Sequence, residues 1–71
     1  MTKDRYVAIV KTVLQKEPAI TLYESHLQKL NALGRRVAGG EDPVATLSEL
    51  ENIFRPFIGR KLREALEQAL K

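Results

Sequence analysis

Apolar residues return along this chain at helical rather than strand spacing, and prolines and glycines punctuate the pattern. Tyr6, Ile9, Val10, Val13 and Leu14 occupy the i, i+3, i+4, i+7 and i+8 positions of one face, with Lys11, Gln15 and Lys16 among the polar positions. This predicts a first helix from about Asp4 to Lys16. Pro18 stops it, because proline lacks an N–H donor and disfavours helical geometry at Glu17. Thr21 and Glu24 have the capping-box spacing and predict a second start. From there Leu22, Tyr23, His26, Leu27, Leu30, Leu33 and Val37 fall within an arc about 140° wide, up to Gly39 as a left-handed cap. Tyr23, Leu27, Leu30, Gly34 and Val37 also fit the seam of two heptads, with Gly34 where a neighbouring helix can come close.

Asp42 before Pro43 reads as an N-cap followed by proline at the first helical position, and Thr46 with Glu49 offers a second start one turn later. Beyond it Leu47, Leu50, Phe54, Ile58, Leu62, Ala65 and Ala69 keep a helical phase through Pro56. A long C-terminal helix, kinked or broken at Pro56, follows. An uninterrupted proline costs about 3 kcal/mol, but Arg55 is a poor N-cap, which favours a kink over a clean break. No run alternates with period two for long enough to make a strand. The expected fold is therefore all-α: a single domain over residues 1–71, a small three- or four-helix bundle built on an antiparallel helical hairpin.

Composition removes most chemistry from consideration. With 71 residues, no cysteine, no tryptophan and one histidine, the chain cannot assemble a zinc site from its own ligands or use a cysteine nucleophile. Ser25 and Ser48 lack a glycine-flanked elbow, and Gly34, Gly39, Gly40 and Gly59 match neither dinucleotide nor P-loop spacing. The expectation is a protein that is not an enzyme and has no cofactor or metal. No apolar stretch approaches the roughly 20 residues that span a bilayer, and the charged start leads into an amphipathic segment, so a cytoplasmic location is expected. A core of this size supplies only about 3–5 kcal/mol, which makes self-association a natural expectation.

His26 lies inside the apolar arc of the second helix, where packing with one nitrogen hydrogen-bonded is the usual fate. His26-Leu27-Gln28-Lys29, Leu33-Gly34 and Leu47-Ser48-Glu49-Leu50-Glu51 together resemble the histidine-phosphotransfer pattern, which would make His26 a phosphorylation site. The chain departs from that family at Leu30, where a small glycine is expected, at the early Gly34, and in being shorter than the family's four-helix bundle.

The formal charge is +3, and the calculated pI is near 9.5. Such a balance invites nucleic acid as a partner. In the last helix, however, Glu51–Arg55, Arg60–Glu64, Arg63–Glu67 and Glu67–Lys71 are all four apart, the spacing of a solvated lattice of ion pairs. Lys29, Arg35 and Arg36 have no such neighbour, so they head the candidate nucleic-acid contacts, with Arg60, Lys61 and Arg63 behind them. Phe54, Phe57 and Ile58 around Pro56 form the bulkiest apolar cluster. With Tyr23, Leu27 and Leu30 they are the candidate protein interface. The function expected is a small protein–protein interaction module, an adaptor, regulator, chaperone-like escort or inhibitor, whose partner is another protein or a second copy of itself. A small basic nucleic-acid-binding or transcription-associated factor is the alternative.

Overall fold

A computed structural model describes residues 1–54 and 58–71. The expected kink at Pro56, with Arg55 and Phe57 on either side, lies outside the described residues. Those residues form four α-helices and no strand: α1 (Lys3–Gln15), α2 (Glu24–Ala38), α3 (Leu47–Ile53), entered through a 3-10 turn at Pro43–Thr46, and α4 (Gly59–Ala69). α1 is the middle element, packing against α2 on one side and α4 on the other.

Thr2 starts α1, its hydroxyl accepting the Arg5 N–H at 3.2 Å. Tyr6, Val10 and Leu14, spaced by four, are fully buried, with Val7 half-buried toward α2. Gly34 permits that approach. A Cβ there would stand 2.8 Å from Lys3 Cγ, 3.1 Å from the Lys3 carbonyl oxygen and 3.2 Å from Val7 Cγ2. The late part of α2 thus lies on the early part of α1, and the hairpin is antiparallel.

α2 starts later than the Thr21–Glu24 capping box predicts. Its N-cap is Tyr23, whose backbone N–H donates to His26 Nδ1 at 3.3 Å. Leu22 and Leu27 then occupy the hydrophobic-staple positions on either side of the cap, both half-buried against the core. A helix begun at Leu22 would lose this arrangement, which explains the later start. The end of α2 differs from expectation by one residue. Gly39 keeps right-handed geometry, and Gly40 takes the positive φ, +114°. Gly40 N–H donates to the Val37 carbonyl and Glu41 N–H to the Arg36 carbonyl, the two bonds of a Schellman motif.

Asp42 caps the 3-10 turn, accepting the Val44 N–H at 3.0 Å ahead of Pro43. The second expected start is used as well, since α3 begins at Leu47 with Thr46 in the N-cap position, but the Thr46 hydroxyl makes no capping bond because it is turned into the core. Thr46 Oγ1 donates to the Pro43 carbonyl at 2.6 Å and sits 2.7 Å from the Tyr6 hydroxyl. Its only proton is thereby committed, so Tyr6 is the donor to Thr46.

The C-terminal helix is broken. α3 ends at Ile53, Phe54 is extended at φ −113°, ψ 135°, and helical geometry resumes at Gly59. Phe54 nevertheless faces inward and is 2% exposed. On α4 the buried residues are Leu62 and Leu66, with Ala65 and Ala69 half-buried beside them. Lys61 near the start of α4 lies 3.7 Å from Glu17, just past the end of α1, so these two helices are also antiparallel.

Candidate functional site

Six apolar residues were expected to form a protein interface, and the fold separates them. Leu30 is fully buried and Phe54 nearly so, both in the hydrophobic core, so neither is a surface residue. Leu27 and Ile58 are half-buried against the same core. Phe57 lies outside the described residues. Of the five that are described, Tyr23 is the exposed one, at 62% of its free surface.

Tyr23 is held in place from behind. Its ring lies 5.5 Å from that of His26, which lies 4.9 Å from that of Phe54, each pair tilted by 59°. These are ordinary distances for interacting rings. Because Nδ1 of His26 accepts the Tyr23 N–H, the neutral imidazole carries its proton on Nε2. His26 is therefore a packed, half-buried residue whose first role is to close the start of α2. A cleft of about 440 Å³ opens beside this stack, lined by Ile20, Thr21, Asn52, Ile53 and the three rings. Ile20 and Ile53 escaped the sequence reading because neither belongs to a long periodic run. Their proximity is created by the extended linker before α2 and the early end of α3.

The candidate cations do not share a surface. Arg36 is held by two carboxylates: Nε and Nη2 donate to Glu41 Oε1 at 3.3 and 2.9 Å, and Nη1 donates to Glu49 Oε2. Glu41 Oε2 sits 2.8 Å from Nη2 without hydrogen-bond alignment, so that contact is ionic. Glu49 first and Glu41 second hold the Arg36 guanidinium pKa above its ordinary value. In the Schellman motif that ends α2, this pair stands where an apolar contact is usual. Arg36 is thus a clasp between α2, the turn and α3 rather than a free anion contact. Its partners lie five and thirteen residues away, beyond the helical neighbours that sequence spacing can reveal.

Arg60 donates to Glu64 at 3.3 Å across one helical turn, and Lys61 faces Glu17. Among the described residues no ion pair involves Lys29, Arg35 or Arg63. These three are exposed, but Lys29 and Arg35 are on α2 while Arg63 is on α4, the two helices that flank α1. No three His, Cys, Asp or Glu side chains gather as metal ligands among the described residues, and none of the described helices is long and apolar enough to cross a membrane.

No family model matches the chain, and comparison with curated proteins and with solved structures likewise finds no match.

Proposed function

We propose that this protein is a non-enzymatic helical interaction module, an adaptor, regulator, escort or inhibitor that works by occupying a partner protein. The observation that carries the reading is Tyr23: an exposed aromatic ring, braced by His26 and Phe54, at the lip of a cleft of mixed lining in which Ile20 and Ile53 stand beside the polar Thr21 and Asn52. Tyrosine is enriched among residues that dominate binding, because it offers a large rigid surface and a hydroxyl at small entropic cost. The occupant of this cleft is a segment of another protein that places an apolar side chain between Ile20 and Ile53 and stacks on Tyr23. The dispersal of Lys29, Arg35 and Arg63 weighs against nucleic acid, which rewards clustered cations.

A photo-cross-linking residue at position 23, compared with one at the exposed α2 position Ala32, tests the proposal in cells. The expected result is a discrete protein adduct, identified by mass spectrometry, formed at position 23 and not at 32, and competed by the wild-type chain but not by Tyr23→Ser. Equal labelling at both positions, or none at 23, overturns it. Saturable binding of labelled duplex DNA or single-stranded RNA at physiological salt, lost on Arg35→Gln, would put the nucleic-acid reading in its place.

A further inference from the structure

A second surface lies on the other side of α1 from the α2 seam. We infer that it receives an acidic amphipathic helix from a partner protein as an added helix of the bundle, an inference that rests on the interaction reading above. A shallow groove of about 340 Å³ runs between α1 and α4, lined by Ala8, Ile9, Thr12, Val13, Lys16 and Ala65. Ile9 and Val13 pack on the core yet remain half-exposed. Ala8 and Ala65 are too small to hold a neighbour away, and the Thr12 hydroxyl is spent on the Ala8 carbonyl at 2.7 Å, so it turns no unsatisfied donor to the groove. Small side chains of this kind let helices approach to the usual packing distance of about 8–10 Å.

Charge decides what occupies the groove. Arg5 is one turn before Ile9, and Lys16 one turn beyond Thr12, so the two cations stand at opposite ends of the same stripe. Both are exposed, and among the described residues neither takes part in an ion pair. Lys61 stands one turn before Ala65 on the α4 wall, 70% exposed and facing Glu17 at 3.7 Å. Three nearby carboxylates each face a cation, Asp4 facing Lys3 at 3.6 Å, Glu17 facing Lys61 at 3.7 Å and Glu64 facing Arg60 at 3.3 Å, which leaves Arg5 and Lys16 as the cations of the stripe with no ion pair among the described residues. A second copy of this chain is a poor occupant. A two-fold axis would set α1 against α1, either antiparallel with Arg5 facing Lys16, or parallel with each cation facing itself. Both arrangements put like charges together. A helix with a leucine or isoleucine stripe flanked by Asp and Glu matches the apolar floor and both cationic ends.

The test uses a labelled designed peptide of about 18 residues, long enough to hold a helix, with a leucine stripe flanked by glutamates, and a control with lysine in place of each glutamate. Fluorescence anisotropy at near-physiological salt should show saturable binding of the acidic peptide, the basic one being weaker by roughly tenfold or more. Arg5→Glu with Lys16→Glu should reverse the preference while circular dichroism confirms an intact fold, both positions being exposed. Amide shifts on binding should centre on residues 8–16 and Ala65. Equal affinity for both peptides, no saturable binding, or no effect of the charge swap overturns the inference. So does a wild-type dimer in sedimentation whose contact maps to this groove. Shifts centred on Tyr23 and Ile53 would overturn the groove and leave the interaction reading standing; failure of the position-23 cross-link with binding intact here would do the opposite.

Discussion

At the scale of single residues, the most constrained group is the Tyr6 hydroxyl, which donates to Thr46 inside an otherwise apolar core. Thr46 passes its own proton to the Pro43 carbonyl, so the relay ties α1 to a turn forty residues later. Burial, the largest effect, raises the Tyr6 pKa above its ordinary 10.0; the Thr46 contact opposes it next, and the weaker fields of Glu49 (raising), Arg36 (lowering) and Glu41 (raising) follow. The sign follows from the neutral phenol being the folded form. The contribution is complete below the unfolded pKa of about 10 and is lost as pH rises through the higher folded value. In a Tyr23→Phe background, where Tyr6 is the remaining tyrosine, tyrosinate absorbance should therefore appear together with loss of helix on the alkaline side. Tyr6→Phe should cost about 1 kcal/mol at neutral pH, the typical worth of one hydrogen bond, and should remove this tyrosine's share of the alkaline destabilisation. Tyr6 titrating at its ordinary pKa in a chain that is still helical would contradict its buried position.

At the scale of elements, boundaries were harder to read than helices. The apolar periodicity placed α1 and α2 correctly because each buries one continuous stripe. The start of α2 was misread because two overlapping capping arrangements, Thr21 with Glu24 and Tyr23 with His26, are compatible with the same residues. Only the fold shows that Leu22 reaches the core from outside the helix. The break before α4 was one of two outcomes left open, and a kink was favoured because Leu50, Phe54, Ile58 and Leu62 are four apart, so the phase runs on past Phe54 although the backbone there is extended. Leu66, four residues after Leu62, continues that phase and is a core residue, though the sequence reading took Ala65 and Ala69 in its place. His26 gives the test of the α2 start. His26→Ala should lose both the acceptor for the Tyr23 N–H and the ring against Phe54, about 1–2 kcal/mol in urea unfolding. His26→Gln keeps an acceptor of suitable reach and should recover part of that loss. Equal destabilisation by the two variants would mean that the imidazole contributes packing alone.

At the scale of the whole molecule, the division between core and surface determines what mutation can report about function. The candidate interface was only partly legible, since helical phase says which residues point inward without saying which inward faces the chain covers by itself. Leu30 and Tyr23 fall in one predicted arc, yet the fold buries the first completely and leaves the second, at the N-cap of α2, in solvent. The cation clasp at Arg36 was illegible for the complementary reason, its partners being brought in by the turn. The same division gives a sharp contrast of variants. A core of this size supplies about 3–5 kcal/mol, and Leu66→Ala at a fully buried site costs about 2–5 kcal/mol, so that variant should lose most of its stability and melt far below the wild type. Leu30→Asp, which buries a charge without a partner, should be unfolded outright. Tyr23→Asp, at an exposed position, should keep helix content and a cooperative melt while losing the position-23 contact. Circular dichroism melts of the three at two protein concentrations check this ordering. If Leu66→Ala instead retains a cooperative transition whose midpoint rises with concentration, the missing stability comes from association of chains, because mass action alone gives that dependence.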